Sequence, residues 1–450
     1  MRALQHSASF RDPSGFVFSR GNDLLRQVDA QFADSYTQLK QSGLIEELIR
    51  DGLVTAFEEV DLNFAASDSA FAVLRADRVP FISYPYEWCF GQLKAAALLT
   101  LEIQRRAVER GFALKDATAY NVQFVGSKPI FIDLLSFEPA PEGPWIAYRQ
   151  FCRHFLAPLA LMSWVDPRLG QLLKSNLDGL PLDLAAKTLP MRARLNTGLA
   201  AHLVLHSRAD QKQGVSGQAR KVTKSNHLAL LDSLRRTIES LKVNTDETVW
   251  ENYYSDTNYS ERSEKAKENL VEAYLQKIPE KGFCWDLGAN TGRFSELAFK
   301  LGFPTIAFDL DVGATEKSFQ SKPNYLPLVL DIANPSPALG WGLQERESLL
   351  QRGPAKVVLA LALVHHLSIS NNVPLPWVAE FLSNLGDWLI IEFIDLEDSQ
   401  VQRLFHARNN KVHMYNGEAF LAAIDQYFTI DASSPIDDSL RTLYLLKRRD

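Results

Sequence analysis

Short apolar runs alternate with amphipathic stretches along the carboxyl-terminal half of the chain. Such alternation predicts a parallel sheet covered by helices on both faces, which is an α/β doubly wound fold. The predicted parallel strands are Phe283–Leu287, Thr305–Leu310, Tyr325–Leu330, Val357–Leu363 and Trp388–Ile394. The predicted helices include Arg293–Leu301, Leu375–Leu385 and Glu418–Gln426. Two further runs, Phe428–Ala432 and Thr442–Lys447, predict a final antiparallel pair, so the sheet is expected to be mostly parallel.

A polar stretch without aromatic residues, Ser207–Lys221, separates this half from the amino-terminal half. It cannot bury a core, and its composition is typical of a linker. The helix predicted after it, Asn226–Lys242, carries leucine and isoleucine at helical spacing. We therefore predict an amino-terminal domain over residues 1–206, a linker over 207–225 and a carboxyl-terminal domain over 226–450.

The composition is that of a globular protein with more than one domain. The chain has 450 residues, of which 46% are hydrophobic and 23% charged, and its formal net charge is −6. This length exceeds one ordinary hydrophobic core, and the acidic balance disfavours general nucleic-acid binding. The longest apolar run, Val357–Val364, is too short to span a bilayer. Because the three cysteines are widely spaced and no leader-like apolar segment is present, we expect reduced thiols in a cytoplasmic protein that contacts no membrane.

The first predicted strand of the carboxyl-terminal half runs into a glycine-containing turn that is followed by a helix. The turn reads Asp286-Leu287-Gly288-Ala289-Asn290-Thr291-Gly292. A turn of this kind at the carboxyl end of a strand is the layout of a nucleotide-type cofactor site. Gly288 lets the backbone approach a ligand closely because it has no Cβ, and Gly292 lets the helix pack on the strand. The carboxylate of Asp286 suits a cationic amino group or a ribose.

The spacing D-x-G-x-x-x-G resembles motif I of the class I S-adenosylmethionine (SAM) dependent methyltransferases. Asp309 ends the second predicted strand, where an acid meets the ribose hydroxyls in a doubly wound sheet. The resemblance implies that Asp331, at the end of the third strand, receives the adenine amino group and that Ile332 packs on the ring. For a single aspartate the alternative is a helix cap or a turn residue. Three acids at successive strand ends favour a SAM site that includes Ala289 and Asn290.

An aromatic segment, Trp250–Tyr259, precedes the first predicted strand of this half. In many enzymes of this class such a segment folds over the cofactor. Tyr253 or Tyr259 would then face the sulfonium, because a ring attracts a cation. The alternative is that these aromatic residues pack a helix against the sheet. Both interpretations remain open.

The fourth predicted strand ends at two adjacent histidines, His365 and His366, where enzymes of this class line the methyl-transfer site. A hydroxyl or protonated amine acceptor needs a base, and histidine titrates in the right range. Neighbouring residues of a strand point to opposite faces, so we expect at most one histidine to serve. The alternative is that one histidine packs on the adenine and the other caps a turn. Glu392 and Asp395, at the end of the fifth strand, are weaker candidates.

The amino-terminal half contains a second motif. Asp116 and Asn121 are spaced as D-x-x-x-x-N, and Asp133 follows at the end of a short apolar run. This spacing resembles the catalytic core of kinase-like phosphotransferases. The resemblance implies an α+β kinase-like domain in which Asp116 orients an acceptor hydroxyl, while Asn121 and Asp133 hold magnesium beside ATP.

The sequence departs from that kinase pattern. No G-x-G-x-x-G occurs before residue 80, and the only lysine before Lys94 is Lys40, in a helical context. Arg26 is the residue that could replace the phosphate-binding lysine of that pattern. Three interpretations remain open: an active phosphotransferase, an inactive kinase-like module that recognises the substrate, and turn residues without any such relationship.

Together the two motifs resemble those of bacterial methyltransferases related to the nodulation protein NoeA. The resemblance implies methyl transfer from SAM to an oxygen or nitrogen acceptor, with the amino-terminal domain presenting the substrate. Two alternatives belong to other classes. One is a bifunctional protein with an active ATP- and magnesium-dependent phosphotransferase domain, and the other is a SAM-responsive binding protein without catalysis. We expect no resident metal ion in the methyltransferase site.

Overall fold

The computed structural model describes residues 5–205, 222–244, 261–408 and 413–449. Its contacts divide the chain into two compact units. Unit 1 consists of Met1–Asn244 together with Leu339–Arg346, and unit 2 consists of Thr245–Ala338 together with Glu347–Asp450. Within the described ranges, no helix combines the length and the apolarity that crossing a membrane requires.

Unit 1 contains a four-stranded antiparallel sheet and two two-stranded sheets. The strands of the larger sheet are β1 (Gly15–Arg20), β2 (Asp23–Asp29), β3 (Phe57–Val60) and β4 (Ala70–Ala76). Their order is β1-β2-β4-β3, and Phe18, Leu25 and Val73 are buried on one face. The smaller sheets pair β5 (Phe112–Leu114) with β8 (Phe137–Pro139) and β6 (Val122–Val125) with β7 (Lys128–Phe131).

The helices of unit 1 surround a long central helix, Phe90–Glu109, which buries one face because alanine and leucine recur there at helical spacing. The described α-helices are Ala33–Gln41, Leu44–Arg50, Phe90–Glu109, Tyr148–Phe151, Ala157–Trp164, Leu172–Ser175, Leu182–Thr188, Met191–Arg194, Thr197–Leu199 and Lys224–Ser240. Two π-helical turns, Cys152–Leu156 and Ala200–Val204, each carry a buried histidine.

The last helix of unit 1 changes the predicted domain boundary. We placed the start of the carboxyl-terminal domain at residue 226, but Lys224–Ser240 belongs to unit 1. Arg235 forms an ion pair of 2.7 Å with Glu102 of the central helix, and the apolar face around Leu234 is buried. Helical spacing indicates which face of a helix is buried, but not which unit covers it. Residues 206–221, most of the predicted linker, lie outside the described residues.

Unit 1 also includes a short hairpin, Leu339–Arg346, that comes from the middle of the carboxyl-terminal half. Its two ends are joined by backbone hydrogen bonds of 3.0 and 3.1 Å between Leu339 and Arg346. Gly340 has a φ of +82°, and a Cβ there would lie 2.1 Å from a carboxylate oxygen of Glu345. That carboxylate pairs with Arg11 at 2.6 and 3.1 Å, which ties the hairpin to the amino-terminal segment.

Unit 2 is built on one seven-stranded sheet with the order β11-β10-β9-β12-β13-β15-β14. The strands are β9 (Cys284–Leu287), β10 (Thr305–Asp309), β11 (Leu326–Val329), β12 (Ala355–Ala360), β13 (Gly386–Ile394), β14 (Phe428–Pro435) and β15 (Arg441–Arg448). The first five are parallel, and β15 pairs antiparallel with both β13 and β14. The predicted mostly parallel sheet with a final antiparallel pair is confirmed.

Helices cover the apolar strands of unit 2. They are Glu261–Lys277, Arg293–Lys300, Val312–Gln320, Leu375–Ser383, Ser399–Ala407 and Gly417–Ile424. The central strand β9 is buried at every position, as expected for a parallel strand with both faces covered, and so is the edge strand β11. Val271 and Leu275 of the first helix pack into one core cluster with Cys284 and Val357. This core holds the carboxyl ends of the parallel strands at one edge of the sheet.

Candidate functional site

The turn after β9 adopts left-handed backbone conformations at three positions. The φ angles are +75° at Gly288, +51° at Asn290 and +87° at Gly292. The amides of Gly288 and Ala289 both donate to the carbonyl of Phe308, at 2.8 and 3.0 Å, which ties the turn to β10. Residues with a side chain rarely adopt such angles, so the sequence must place glycine or asparagine there.

Gly292 is required for close packing as well as for its backbone angle. A Cβ at this position would lie 1.8 Å from the hydroxyl oxygen of Tyr325. That hydroxyl donates to the carbonyl of Thr291 at 3.2 Å and lies 2.8 Å from the hydroxyl of Ser318. Gly292 therefore allows close packing against Tyr325, because the tyrosine side chain fills the space in which a side chain at position 292 would lie.

Asp286 is buried at the end of β9 and is 2% exposed. Its Oδ2 atom accepts a hydrogen bond of 2.6 Å from the hydroxyl of Ser295, at the start of the next helix. Burial raises the pKa of Asp286 to about 6, against the lowering effect of the Ser295 hydroxyl, and the charge of Asp309 raises it further. Because burial disfavours the charged form of this carboxyl group, a nearby cation would stabilise that charged form.

Asp309 ends β10 and holds two loops. Its Oδ2 atom accepts the amide of Asn290 at 2.6 Å, and its Oδ1 atom accepts the amide of Asp311 at 2.7 Å. Burial raises its pKa to about 6, although both backbone hydrogen bonds lower it. Asp311 instead caps the next helix, because it accepts the amides of Gly313 and Ala314 at 2.7 and 3.0 Å. This makes Asp309, rather than Asp311, the acid that faces the turn.

The turn leaves room for a ligand at its first glycine. A Cβ added at Gly288 would meet no atom nearer than Cδ1 of Leu363, at 3.6 Å. A nucleoside-type group can therefore approach this backbone closely, beside the carboxylates of Asp286 and Asp309. The acidic residues and the open glycine together fit a cofactor with a cationic end and ribose hydroxyls.

The remaining predicted cofactor residues lie in part on the same edge. Asp331 follows β11 and is half-buried, with its Oδ1 atom accepting the amide of Ala333 at 2.8 Å. Ile332 is buried beside it in the sequence. Because β9, β10 and β11 are adjacent and parallel, Asp331 lies at the edge of the sheet that carries Asp286 and Asp309. The predicted lid residues Tyr253 and Tyr259 lie outside the described residues.

The two histidines after β12 lie in a helical turn and not in a strand. Strand β12 ends at Ala360, Ala362 has a φ of +51°, and a π-helical turn begins at His366. The rings of His365 and His366 are 4.1 Å apart, so the prediction that they point to opposite faces of a strand was wrong. The apolar run Leu361–Val364 continues past the end of the strand, and this caused the error.

Both histidines are neutral at physiological pH. Burial lowers the pKa of His365 well below its ordinary value, and the charges of Arg441 and Lys267 add to this effect. Burial also lowers the pKa of His366 to about 4. Nδ1 of His365 is buried and has no hydrogen-bond partner in the described part of the chain. The ordinary titration range of histidine, on which the predicted role as a base relied, does not apply here.

A buried charge network lies near His365 and was largely missed in the sequence. Nζ of Lys267 is 2.6 Å from Glu392, Arg441 is 3.3 Å from Glu392, and a second nitrogen of Arg441 is 3.4 Å from Asp398. The Glu392 carboxylate also accepts the amide of Ala362 at 2.8 Å. Lys267 precedes the buried residues of its helix at helical spacing, and this placement on an apolar face was the available signal.

In unit 1 the three residues of the kinase-like motif come together. Nδ2 of Asn121 lies 3.5 Å from the carbonyl of Asp116 and donates to the hydroxyl of Ser136 at 3.2 Å. The Ser136 hydroxyl in turn donates to Oδ2 of Asp133 at 2.5 Å. Arg26 of β2 forms an ion pair with the other oxygen of Asp133. No group of three or more histidine, cysteine or acidic side chains suited to a metal ion occurs among the described residues.

Five parallel strands followed by an antiparallel pair, with a glycine turn after β9, are the fold of the class I methyltransferases. The fold and the glycine turn are thus those of a SAM-dependent methyltransferase of this class. The chain belongs to the family of the nodulation protein NoeA of Rhizobium meliloti (strain 1021). The two proteins are 37% identical over 460 residues, which cover 99% of this chain and 96% of NoeA. No family model matches the chain.

Solved structures similar to the chain include the N-methyltransferase NodS from Bradyrhizobium japonicum WM9. The identity is 9% and the TM-score 0.32, over 42% of this chain and 99% of NodS. A second is magnesium protoporphyrin IX methyltransferase (ChlM) from Synechocystis PCC 6803 with bound SAH. Here the identity is 15% and the TM-score 0.31, over 44% of this chain and 93% of ChlM.

Proposed function

We propose that the chain transfers the methyl group of SAM to an oxygen or nitrogen atom of an acceptor molecule. The observation that carries this proposal is the turn Gly288–Gly292, which is open to a ligand beside the buried carboxylate of Asp286 and the half-buried carboxylate of Asp309. SAM supplies a methyl group on a sulfonium, and such a transfer is an in-line displacement. Alignment of the acceptor therefore does most of the work, and the protein contributes by holding both partners.

Each predicted cofactor residue has a distinct part in this proposal. The buried carboxylate of Asp286 meets the cationic amino group, and Asp309 accepts hydrogen bonds from the ribose hydroxyls. Asp331 receives the adenine amino group, and Ile332 packs against the ring. The backbone of Ala289 and Asn290 lines the turn without a long side chain, which keeps the approach to the backbone open.

For the acceptor we propose that Nδ1 of His365 accepts a hydrogen bond from its O–H or N–H group. The support is that this buried nitrogen has no partner in the described part of the chain and that the ring is neutral. Charge that develops on the attacking atom makes its proton more acidic, so even a weakly basic imidazole can take that proton. His366 packs against His365, with the ring centroids 4.1 Å apart, and restricts its orientation.

Substitution of Gly288 tests the cofactor site. Aspartate and asparagine tolerate left-handed backbone better than other side chains do, so Gly288→Asp and Gly288→Asn should both fold. Each fills the space above the turn, and we expect both to lose measurable SAM binding in calorimetric titrations. Retained SAM affinity in either folded variant would overturn this placement. His365→Gln should bind SAM normally but lose transfer of a labelled methyl group into a bacterial cell extract.

Transfer of the label separates the enzyme from a SAM-responsive binding protein. An enzyme moves the labelled methyl group into some component of the extract, whereas a binding protein moves none. Gly288→Asp is the control for label that other proteins of the extract transfer. The cytoplasmic location stays a prediction that fractionation of cells can test.

For unit 1 we propose a kinase-like module that recognises the substrate and transfers no phosphate. The support is that Asp133, the predicted magnesium ligand, is already held by Arg26 and by the Ser136 hydroxyl. Native mass spectrometry of the full chain with SAM, ATP and magnesium tests this directly. A mass shift for SAM alone supports the recognition module. Simultaneous adducts of SAM and ATP, with the ATP adduct lost in Asp133→Ala, would instead support a bifunctional protein.

A further inference from the structure

We propose that unit 1 contains a binding site for an oxyanion, a carboxylate or a phosphate group, between the side chains of Arg153, Arg346 and Tyr120. Nothing in the proposed methyl transfer requires this site, and it uses none of the residues assigned to the cofactor. It combines the loop of the kinase-like motif with the hairpin Leu339–Arg346, and all of its residues belong to unit 1.

The guanidinium of Arg346 lies over the ring of Tyr120. The guanidinium carbon is 3.9 Å from the ring centroid, and Nη1 donates to the carbonyl of Glu345 at 2.8 Å. Its Nε atom is buried and has no hydrogen-bond partner in the described part of the chain. A guanidinium over an aromatic ring can still donate from its remaining N–H groups to a carboxylate or phosphate. Arg346 therefore presents a fixed donor at this position.

Arg153 supplies a second guanidinium near the same place. One of its nitrogens donates to the carbonyl of Gly179 at 3.2 Å, while its buried Nε has no partner in the ranges that the structure describes. The charges of Arg153 and Arg346 both act on His154, whose pKa is lowered to about 3, chiefly by burial. His154 is therefore uncharged, and the two arginines are the cations that remain beside it.

Tyr120 adds a neutral donor. Burial raises its pKa to about 12, although the Arg346 guanidinium acts to lower it, so the hydroxyl keeps its proton and can donate it to an anion. Its ring lies 6.0 Å from the ring of His154, in a π-helical turn of the kind that is frequent at functional sites. Arg346 and Tyr120 are in contact, and both arginines act on His154, so three hydrogen-bond donors lie around this histidine, a set that is complementary to an oxyanion.

The nearby carboxylates are already engaged. Glu345 pairs with Arg11, and Glu87, whose charge acts on Tyr120, accepts the backbone amide of Tyr84 at 3.0 Å. The Glu345 carboxylate also lies within range of the Arg346 charge, so the attraction for an anion comes from the guanidinium donors around His154 and not from a large excess of positive charge. This charge pattern distinguishes the site from the Asp116–Asn121–Asp133 network, in which the acids predominate.

Titration of the full chain with inorganic phosphate and with malonate, at constant ionic strength, tests the proposal. We expect saturable binding of at least one probe, and the preferred probe identifies the ligand as phosphate- or carboxylate-bearing. Arg346→Gln and Arg153→Gln should each weaken this binding at least about tenfold, because each removes a charged donor. Arg192→Gln is the matched control, since this exposed arginine lies over the Trp164 ring and should leave binding unchanged.

SAM binding by the same samples reports whether unit 2 is intact, and circular dichroism reports whether the variants are folded. Two results would overturn the proposal: no saturable binding of either probe by the folded wild-type chain, or equal affinity in wild type, Arg346→Gln and Arg153→Gln. The outcome is independent of methyl transfer, so a failure here leaves the proposed function standing.

Discussion

The Oδ2 atom of Asp309 accepts a hydrogen bond of 2.6 Å from the backbone amide of Asn290, which lies nineteen residues earlier in the chain. The other carboxylate oxygen accepts the amide of Asp311 at 2.7 Å. One side chain therefore joins the loop after β9 to the loop after β10. The acid that is proposed to meet the ribose also shapes the turn on which the cofactor would lie.

We expect Asp309→Asn to weaken both the turn and SAM binding. An asparagine offers one acceptor where two amides donate, and its NH2 group would face one of them. The loss in the free energy of unfolding should be about 1–3 kcal/mol, and SAM affinity should fall at least about tenfold. Calorimetric unfolding and SAM titration measure both effects.

Asp331→Asn is the control for this prediction. Its carboxylate accepts the amide of Ala333 through Oδ1, and the amide oxygen of asparagine can keep that bond. The free energy of unfolding should therefore change little. If Asp309→Asn folded and bound SAM as tightly as the wild type, the proposed double role of Asp309 would be wrong.

Gly292→Ala should destabilise unit 2 more than Gly302→Ala does. Both glycines have a φ of +87°, so each substitution incurs the left-handed strain of about 1–2 kcal/mol. The new Cβ at Gly292 would also lie 1.8 Å from the Tyr325 hydroxyl, whereas nothing lies within 4 Å at Gly302. Overpacking adds about 1–3 kcal/mol. Equal losses in thermal unfolding of the two variants would contradict this account.

Asp286→Asn should stabilise the protein without ligand at neutral pH while abolishing SAM binding. Burial raises the pKa of Asp286 to about 6 from 3.8, so the folded state binds the proton more tightly than the unfolded state does. The contribution of this carboxyl group to the free energy of unfolding therefore falls as the pH rises from about 4 to about 6, and it stays low above that range. Asparagine carries no charge, and we expect a gain on the order of 2 kcal/mol at pH 7.

The pH dependence of this gain provides the check. Near pH 4 the wild-type carboxyl is protonated in the folded state, so the two proteins should unfold at the same urea concentration. Asp425→Asn, at an exposed ion pair with Arg449, is the control for loss of a carboxylate that is not buried. A loss of stability in Asp286→Asn at pH 7 would show that the Ser295 hydrogen bond outweighs the burial of the charge.

Glu392→Gln should be among the most destabilising single substitutions in unit 2. It leaves the buried cations Lys267 and Arg441 without their shared carboxylate, and loss of one partner of a buried pair costs about 3–5 kcal/mol. The same change at the exposed pair, Asp425→Asn, should cost less than about 1 kcal/mol. Adding Lys267→Met to Glu392→Gln should recover part of the loss, because one uncompensated charge is removed. Calorimetry of the three variants measures these differences.

Much of unit 2 was predictable because its signals are local. Each parallel strand is a short apolar run, and each helix between them repeats its apolar residues at helical spacing. The turn Gly288–Gly292 was equally predictable from the sequence, since a left-handed backbone conformation favours glycine or asparagine. The error at β12 has the same origin: Leu361–Val364 is as apolar as a strand, yet the chain turns at Ala362 to accommodate the Glu392 carboxylate.

The amino-acid sequence by itself determined the alternation of elements, the glycine turn and the acids at the strand ends, because these depend on neighbours in the chain. Only the tertiary structure decided that Lys267 forms an ion pair with Glu392 and that Arg26 forms one with Asp133. It also decided that the hairpin Leu339–Arg346 packs as part of unit 1. A periodic pattern indicates which face of an element is buried, but not what covers it. Lys267 and Glu392 are 125 positions apart in the chain. Such an ion pair forms only when packing brings its two residues together, and no local pattern specifies that packing.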